Sequence, residues 1–277
     1  MTITDIKGSV KLNNGIQMPY FGLGVFKTKD GKEVIDAIHH ALENGYRLID
    51  TAALYGNERG VGDAVRASGV PRKDIFVTTK VWNSEQGYEP TLRAFDHSIK
   101  RLGLDYVDLF LIHWPVKGKY KDTWKALERL LNEGYIRSIG VSNFLQHHLE
   151  DLMNSSSTVP AVNQIEFHPR LVQLSLLDFC SEKKIQVEAW SPLMQGGVFK
   201  IEALQQLASK YGKSVAQVVL RWNLQKDVTT IPKSVTPLRI KENANIFDFT
   251  ITPEDLAAID QLDKHQRVGA DPDNFSF

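Results

Sequence analysis

The chain has 277 residues, 42% of them hydrophobic and 24% charged, with 33 basic and 33 acidic side chains. That length carries a large core and suits two small domains or one α/β barrel of roughly 250 residues. The balanced charge argues against a nucleic-acid or membrane-surface partner, while leaving room for a local basic pocket around one phosphorylated ligand.

The amino-terminal segment MTITDIKGSVKLNN holds no apolar run of the signal-peptide kind. No later segment reaches the roughly 18–20 uninterrupted apolar residues that span a bilayer, so a cytoplasmic protein is expected. The first element reads as a hairpin, SVKL and IQMP around Asn13-Asn14-Gly15, because Asn and Gly tolerate positive φ. Strand-like runs then alternate with helical ones. They are FGLGV (21–25), RLID (47–50), DIFVTTK (74–80), VDLFLIH (107–113), IRSIGVS (136–142), AVNQIEF (161–167), IQVEAW (185–190) and VTTIP (228–232).

Several of these runs are almost continuously apolar, as parallel strands covered by helices are. Between them, KEVIDAIHHALENG sets Val34, Ile35, Ile38 and Leu42 on one face and stops at Gly45, and TWKALERLLNEG repeats the design up to Gly134. The stretch FKIEALQQLASKYGKSVAQVVLRWNLQ has room for two accessory helices. TPEDLAAIDQLDK adds another, with Thr252 as N-cap and Pro253 at its first position. The last residues, QRVGADPDNFSF, read as irregular. Eight strands with intervening helices favour a (β/α)8 barrel over a doubly wound sheet, and with no linker or composition shift residues 1–277 read as one domain. The single Cys180, in LLDFCSEKK, has no disulfide partner and reads as a small buried helical residue rather than a reactive thiol.

In such a barrel the carboxyl ends of the strands converge on one face. Here they are Val25, Asp50, Lys80, His113, Ser142, Glu166, Trp190 and Pro232, with Tyr55 just beyond the second and Asn143 just beyond the fifth. Tyr55 has a phenolic proton to give, but a reference pKa of roughly 10 makes it a poor acid near neutrality; a nearby ammonium such as Lys80 favours the phenolate and is expected to lower that pKa. Asp50 would pair with Lys80, and His113 would hydrogen-bond a carbonyl oxygen. The set suits hydride delivery to a carbonyl carbon with proton delivery to its oxygen, which requires a hydride cofactor. Each residue alone has an ordinary reading: a loop-capping Asp, a packed Tyr, a solvated Lys, a satisfied core His. Their appearance at successive strand ends is what raises the functional reading.

A second constellation is IPKSVTPLRIKEN, directly after the eighth strand, where barrels often hold phosphate. Lys233 and Arg239 offer charge, Ser234 a hydroxyl, and a helix starting near Pro237 its amino-terminal N–H groups. Arg239 and Asn243 are four apart, on one helical face. A capped surface helix is the ordinary alternative. No Rossmann glycine fingerprint or P-loop is present, and GNERGVG (56–62) reads as the start of a helix packed tightly on its strand. No metal motif is evident. The adjacent pairs His39-His40 and His147-His148 should point in different directions on their helices and be solvated or packed.

Taken together, GLGVF, RLIDTAALYGNERGVG, DIFVTTKVWN, LGLDYVDLFLIHWP, IRSIGVSNF, VNQIEFHP, VEAWSPL and IPKSV resemble the aldo-keto reductases over nearly the whole chain. The likeness is to short-looped bacterial members, which include diketogluconate, glyoxal and methylglyoxal reductases. The resemblance implies a (β/α)8 barrel using NADPH, with Asp50, Tyr55, Lys80 and His113 as a catalytic tetrad and Tyr55 as proton donor. It implies that Ser142, Asn143 and Gln164 meet the nicotinamide carboxamide and that the ring stacks on Trp190, where many relatives carry Tyr. Ser191 and Leu193 would flank the pyrophosphate, Lys233, Ser234 and Arg239 the adenosine 2′-phosphate, and Asn243 the adenine.

A substrate pocket would then be lined by Phe26, Trp82 and Trp114, with His113 at its polar centre. The short segment after Trp114 and the short tail predict an open site for small aldehydes and α-oxo-aldehydes such as glyoxal or methylglyoxal. Two other classes compete with a carbonyl reductase: a Schiff-base aldolase using Lys80, and a non-catalytic, cofactor-bound sensor subunit. A monomer is the default expectation, since no added assembly segment is visible.

Overall fold

The computed structural model describes residues 3–277, so the first two residues of the amino-terminal segment lie outside the described residues. The Asn-Asn-Gly turn makes the expected hairpin. Strands β1 (Ser9–Lys11) and β2 (Gln17–Pro19) pair antiparallel, and Gly15 turns the chain at φ 89°, a backbone region glycine enters without steric cost. The side-chain amide of Asn13 donates to the Pro160 carbonyl and that of Asn14 to the Arg137 carbonyl. Both acceptors lie where barrel strands begin, so the hairpin covers the end of the barrel opposite the strand carboxyl termini.

The eight predicted barrel strands all form. They are β3 (Gly22–Gly24), β4 (Leu48–Asp50), β5 (Phe76–Val81), β6 (Val107–Ile112), β7 (Ile136–Ser142), β8 (Val162–Glu166), β9 (Gln186–Trp190) and β10 (Thr229–Thr230). Neighbours pair in sequence order and in parallel. A parallel bridge between Phe21 and Thr230 and a bond from the Thr230 N–H to the Tyr20 carbonyl close the barrel. Every residue of β5, β6 and β8 is buried, which is why these strands read as apolar runs without alternation.

The helices follow the amphipathic patterns: α1 (Lys32–Glu43), α2 (Glu58–Ala67), α3 (Tyr88–Leu102), α4 (Tyr120–Asn132), α5 (Gln146–Met153) and α6 (Leu174–Glu182). The long stretch after β9 divides into α7 (Glu202–Tyr211) and α8 (Val215–Gln225). Ser214 and Gln217 exchange side-chain and backbone bonds at the start of α8, a capping box that fixes the division. Then come α9 (Pro237–Ala244) and α10 (Pro253–Asp260), the latter capped by Thr252 Oγ1 accepting from the Asp255 N–H. No helix among the described residues is long and apolar enough to cross a membrane. Cys180 is buried in α6, and burial pushes its thiol up to about 12.

Two expectations need correction. The glycines of GNERGVG pack α2 against its neighbouring helices rather than on a strand: a Cβ on Gly62 would lie 1.7 Å from the Leu102 carbonyl oxygen at the end of α3, and one on Gly60 would lie 2.4 Å from Val34 of α1. His147 and His148 do not diverge. Their ring centroids are 4.0 Å apart, and both Nε2 atoms face Asp273 Oδ1, at 2.9 and 3.4 Å. At the start of a helix the first turn leaves side chains free to fold back toward the chain that crosses it, and here the crossing chain is the carboxyl-terminal tail. His148 Nδ1 accepts the Leu145 N–H, so its Nε2 carries the proton and donates to Asp273. That bonding ties the carboxyl-terminal tail to the start of α5.

Candidate functional site

Three short local structures bring the reactive side chains together. Asp50 is the last residue of β4 and Lys80 the penultimate residue of β5. After β4 the chain makes one 3-10 turn, Ala53–Tyr55, which Gly56 ends in the left-handed region at φ 67°. That turn aims the Tyr55 ring back over the barrel. Buried Asn57 locks it there: its Nδ2 donates to the Val25 and Thr28 carbonyls at 2.9 and 3.0 Å, and its Oδ1 accepts from Thr51 Oγ1 at 2.7 Å. The loop carrying Phe26 is thus tied to the turn carrying Tyr55. His113 directly follows β6, and its backbone N–H bonds the Val81 carbonyl at 3.3 Å.

Lys80 is completely buried. Its Nζ donates to Asp50 Oδ1 at 2.7 Å, Asp50 Oδ2 at 2.8 Å and the Thr51 carbonyl at 2.9 Å, and it lies 3.3 Å from Tyr55 Oη. Burial alone would drive the ammonium toward neutrality, but Asp50, Tyr55 and Glu188 reverse this, and Lys80 holds its proton more firmly than a free lysine. At Tyr55 the balance runs the other way from the sequence expectation. Lys80 does favour the phenolate, but burial outweighs it, with Asp50 adding to burial, and the phenol is pushed up from its ordinary value. Tyr55 therefore rests as a neutral phenol.

The His113 ring meets the Tyr55 ring edge-on at 5.8 Å between centroids and the Trp82 ring at 5.0 Å. Burial, with the Lys80 charge behind it, holds the imidazole well below its usual range, so His113 is neutral at physiological pH. Its Nδ1 is buried without a partner among the described residues. Phe26, Trp82 and Trp114 surround this centre: Phe26 lies 4.9 Å from Tyr55, half exposed, while Trp114 is buried.

The tail makes more of this mouth than the sequence reading allowed. Phe277 stacks on Trp82 at 5.7 Å and meets Trp114 edge-on at 5.2 Å, and Phe275 packs on Trp114 at 5.1 Å. The Phe277 carbonyl accepts from Asn83 Nδ2 at 3.0 Å. Further back, the Val268 and Gly269 N–H groups bond the buried Glu166 carboxylate, and a Cβ on Gly269 would sit 2.4 Å from the Trp190 ring. The only signal for this in the sequence was a pair of Phe residues in an otherwise polar tail.

Beside the four-residue centre lies a second cluster. Ser142 Oγ donates to the Gln164 carbonyl at 3.0 Å, and Asn143 Nδ2 donates to the His113 carbonyl and Ser142 Oγ at 3.0 and 3.2 Å. Asn143 adopts φ 64°, which Asn tolerates better than most residues, and its Oδ1 accepts from Trp190 Nε1 at 2.9 Å. The indole of Trp190 is thereby tied to the end of β7. Gln164 Nε2 donates to Asp50 Oδ2 at 2.8 Å and to Glu188 Oε2 at 2.6 Å. Glu188 is a buried carboxyl absent from the sequence reading; its own burial, with Asp50 beside it, pushes it up to about 8. It was invisible because a Glu inside VEAW reads only as one polar residue in a strand.

The remaining predicted positions fall in the turn after β9 and in and just before α9. Ser191, at φ 49°, and half-buried Leu193 form the turn after β9. Buried Ser234 Oγ accepts the Thr236 N–H at 3.1 Å, just before α9, and Asn243 is buried near its end. Lys233 and Arg239 are exposed, and neither has a carboxylate partner among the described residues. The first turn of α9 contains no acidic residue.

Residues 20–264 match the model of the aldo/keto reductase family. A glyoxal reductase of Bacillus subtilis (strain 168) is 58% identical over 274 residues, covering 99% of each chain. Methylglyoxal reductase DkgA of Salmonella typhimurium is 48% identical over 270 residues, with 96% of this chain and 97% of that protein covered. Among solved structures, a mutant of Gox0644 in complex with NADPH superimposes with a TM-score of 0.93 at 44% identity, over 97% of this chain and 98% of that one. With the barrel, its closing hairpin and the buried Asp–Lys pair at the strand ends, these matches establish that the chain belongs to the aldo/keto reductase family.

Proposed function

We propose that the chain is an NADPH-dependent reductase of small aldehydes and α-oxo-aldehydes, glyoxal and methylglyoxal among them, with Tyr55 as the proton donor. The observation that carries this reading is the buried Lys80, clamped by Asp50 and 3.3 Å from the Tyr55 oxygen. A lysine placed in this way has little use except to act on that phenol. The glyoxal and methylglyoxal reductase names of the two relatives support the substrate class.

The free donors suit the cofactor. Two cations without a carboxylate partner among the described residues, Lys233 and Arg239, and the acid-free start of α9 match a phosphate on the adenosine ribose. Ser234 and Asn243 complete that end, Ser191 and Leu193 flank the pyrophosphate, and Trp190 offers a ring face for the nicotinamide. Ser142, Asn143 and Gln164 surround its carboxamide. When bound, NADPH supplies the hydride.

The chain's own residues do the rest. A carbonyl oxygen lodged between Tyr55 and His113 accepts a hydrogen bond from each; neutral His113 orients it without donating a full charge. As negative charge develops on that oxygen, the Tyr55 proton moves to it, and the phenolate left behind is stabilised by Lys80 at hydrogen-bond distance. The upward-shifted phenol keeps its proton until an alkoxide is there to take it. Phe26, Trp82 and Trp114 exclude water around the reacting group. Lys80 stays protonated, which disfavours its use as a Schiff-base nucleophile.

Tyr55→Phe tests this reading. Methylglyoxal-dependent oxidation of NADPH should fall by a factor of 100 or more, in the range of lost acid catalysis, with NADPH affinity little changed. A rate within a few-fold of wild type in a folded variant would remove Tyr55 from the proton-donor role.

A further inference from the structure

Glu188 has no part in the chemistry above, yet it is fully buried and bonded to the centre of the site. It faces Gln164 across the β8–β9 pair, in register. Gln164 spends both hydrogens of its Nε2 on carboxyl oxygens: Glu188 Oε2 at 2.6 Å and Asp50 Oδ2 at 2.8 Å. Asp50 in turn is held through both oxygens by Lys80. A continuous chain therefore runs Lys80, Asp50, Gln164, Glu188, with one carboxyl on each side of the amide.

A primary amide has two donors at one end and an acceptor of nearly the same size at the other, so its orientation is set by its partners. Turned by half a rotation, Gln164 would place its oxygen against the Asp50 carboxylate and leave its N–H groups facing the mouth. As bonded, its Oε1 is the end left without a protein donor among the described residues. Asp50 takes one N–H; a second acceptor is needed to hold the amide plane. Lys80, Tyr55 and Asp50 act on Glu188 electrostatically, and among the described residues its hydrogen bond to the centre runs through Gln164.

We propose that Glu188 is a positioning residue for cofactor recognition: by accepting the second N–H of Gln164 it fixes that amide with its oxygen toward the mouth, ready to accept from the carboxamide N–H of nicotinamide. This rests on the assignment of Gln164 to the carboxamide made under the proposed function.

The test is binding, measured by quenching of protein fluorescence, with NADPH and with its 3-acetylpyridine analogue, in which a methyl replaces the amide nitrogen. Glu188→Met should raise the NADPH Kd about tenfold, the size of one lost hydrogen bond. It should change the analogue's Kd by less than about twofold, because that ligand has no N–H to offer. Glu188→Gln, whose amide oxygen accepts the same bond, should recover most of the loss. Equal weakening of both ligands would reduce Glu188 to a packing role and overturn the proposal, as would an unchanged NADPH Kd. Gln164→Met separates the two readings. If it weakens NADPH while Glu188→Met does not, only the positioning role fails. If it leaves NADPH binding intact, the carboxamide assignment fails, and this inference with it. Should Glu188→Met not fold, Glu188→Gln carries the test, with a two- to threefold loss expected for NADPH alone and equal losses for both ligands counting against.

Discussion

The two ends of the site are built in opposite ways. At the strand ends, Lys80 is sealed from water and has three acceptors within 2.9 Å before any ligand arrives. Some distance along the chain, Lys233 stands exposed before α9 and Arg239 within it, with no carboxylate among the described residues to hold either. The first region has its electrostatics arranged by folding itself. The second keeps its charges free of protein carboxylates among the described residues, as the proposed binding of a phosphate there requires. Chemistry needs a fixed field, whereas binding an anion gains most from cations that surrender nothing on release.

The sharpest way to break this contrast is to remove the buried charge. Lys80→Met leaves the Asp50 carboxyl in a closed site without its counter-ion. Removing one partner of such a pair costs on the order of 3–5 kcal/mol. The expected outcome is a large drop in the urea midpoint together with loss of turnover, since under the proposed mechanism Tyr55 would lose the cation that supports its phenolate. A variant that is inactive but fully stable would show that the pair contributes little to folding and would weaken the idea of a centre preassembled by the fold.

Arg239→Ala probes the other end and should do the reverse. Stability should be unchanged, because the guanidinium is exposed and makes no ion pair among the described residues. NADPH affinity should fall roughly tenfold, as for one lost charge-assisted bond, while NADH, lacking the 2′-phosphate, is little affected. Isothermal titration with both cofactors reads the difference. Equal effects would remove Arg239 from the phosphate.

These two regions were not equally legible. The strand-end positions of Asp50, Lys80 and His113 followed from hydrophobic runs that stop at polar residues, a signal set by the barrel itself. Tyr55 was legible only as a neighbour of such an end; its aim depends on Asn57, whose bonds to Val25 and Thr28 cross from another loop. Glu188 was not legible at all, and the Phe275–Phe277 wall showed only as two Phe residues in a polar tail. A lone Glu in a strand carries no pattern, and the contacts of an irregular tail have no period. The same blindness explains the histidine pair: helix geometry says that adjacent side chains diverge, and only the position of Asp273 shows what draws both inward. The direction of the Tyr55 shift was misjudged for a related reason, because proximity to Lys80 was inferable and the degree of burial was not.

The preassembled centre also predicts a pH signature. Glu188 sits near 4.5 as an ordinary carboxyl and is pushed to about 8 in the folded protein. A group raised on folding contributes stability that is complete below its unfolded value and lost as pH rises through its folded one. Unfolding free energy should therefore carry a downward slope between about pH 4.5 and 8 from this residue. His113, depressed on folding, acts in the opposite sense, its stability being lost as pH falls below the ordinary histidine range. Subtracting the curve of Glu188→Gln from wild type isolates the Glu188 slope. Identical curves would mean that the carboxyl is ionised in the fold.

The smallest effect belongs to the tail, which fits neither description. It is bonded at Glu166 and Asn83, yet Phe277 is 55% exposed and rests on Trp82 by one ring face. An aromatic half in water adds wall area without rigid enclosure. Phe277→Ala should leave kcat and KM for methylglyoxal within about twofold, since in the proposed pocket so small a substrate would be enclosed by Phe26, Trp82 and Trp114. For phenylglyoxal, whose ring would lie along the same wall, KM should rise about threefold, a fraction of one aromatic contact. If both substrates suffer alike, the tail is part of the fixed centre after all. If neither responds, the mouth is as open as the short loops alone suggested, and the aromatic pair serves only to cover Trp114.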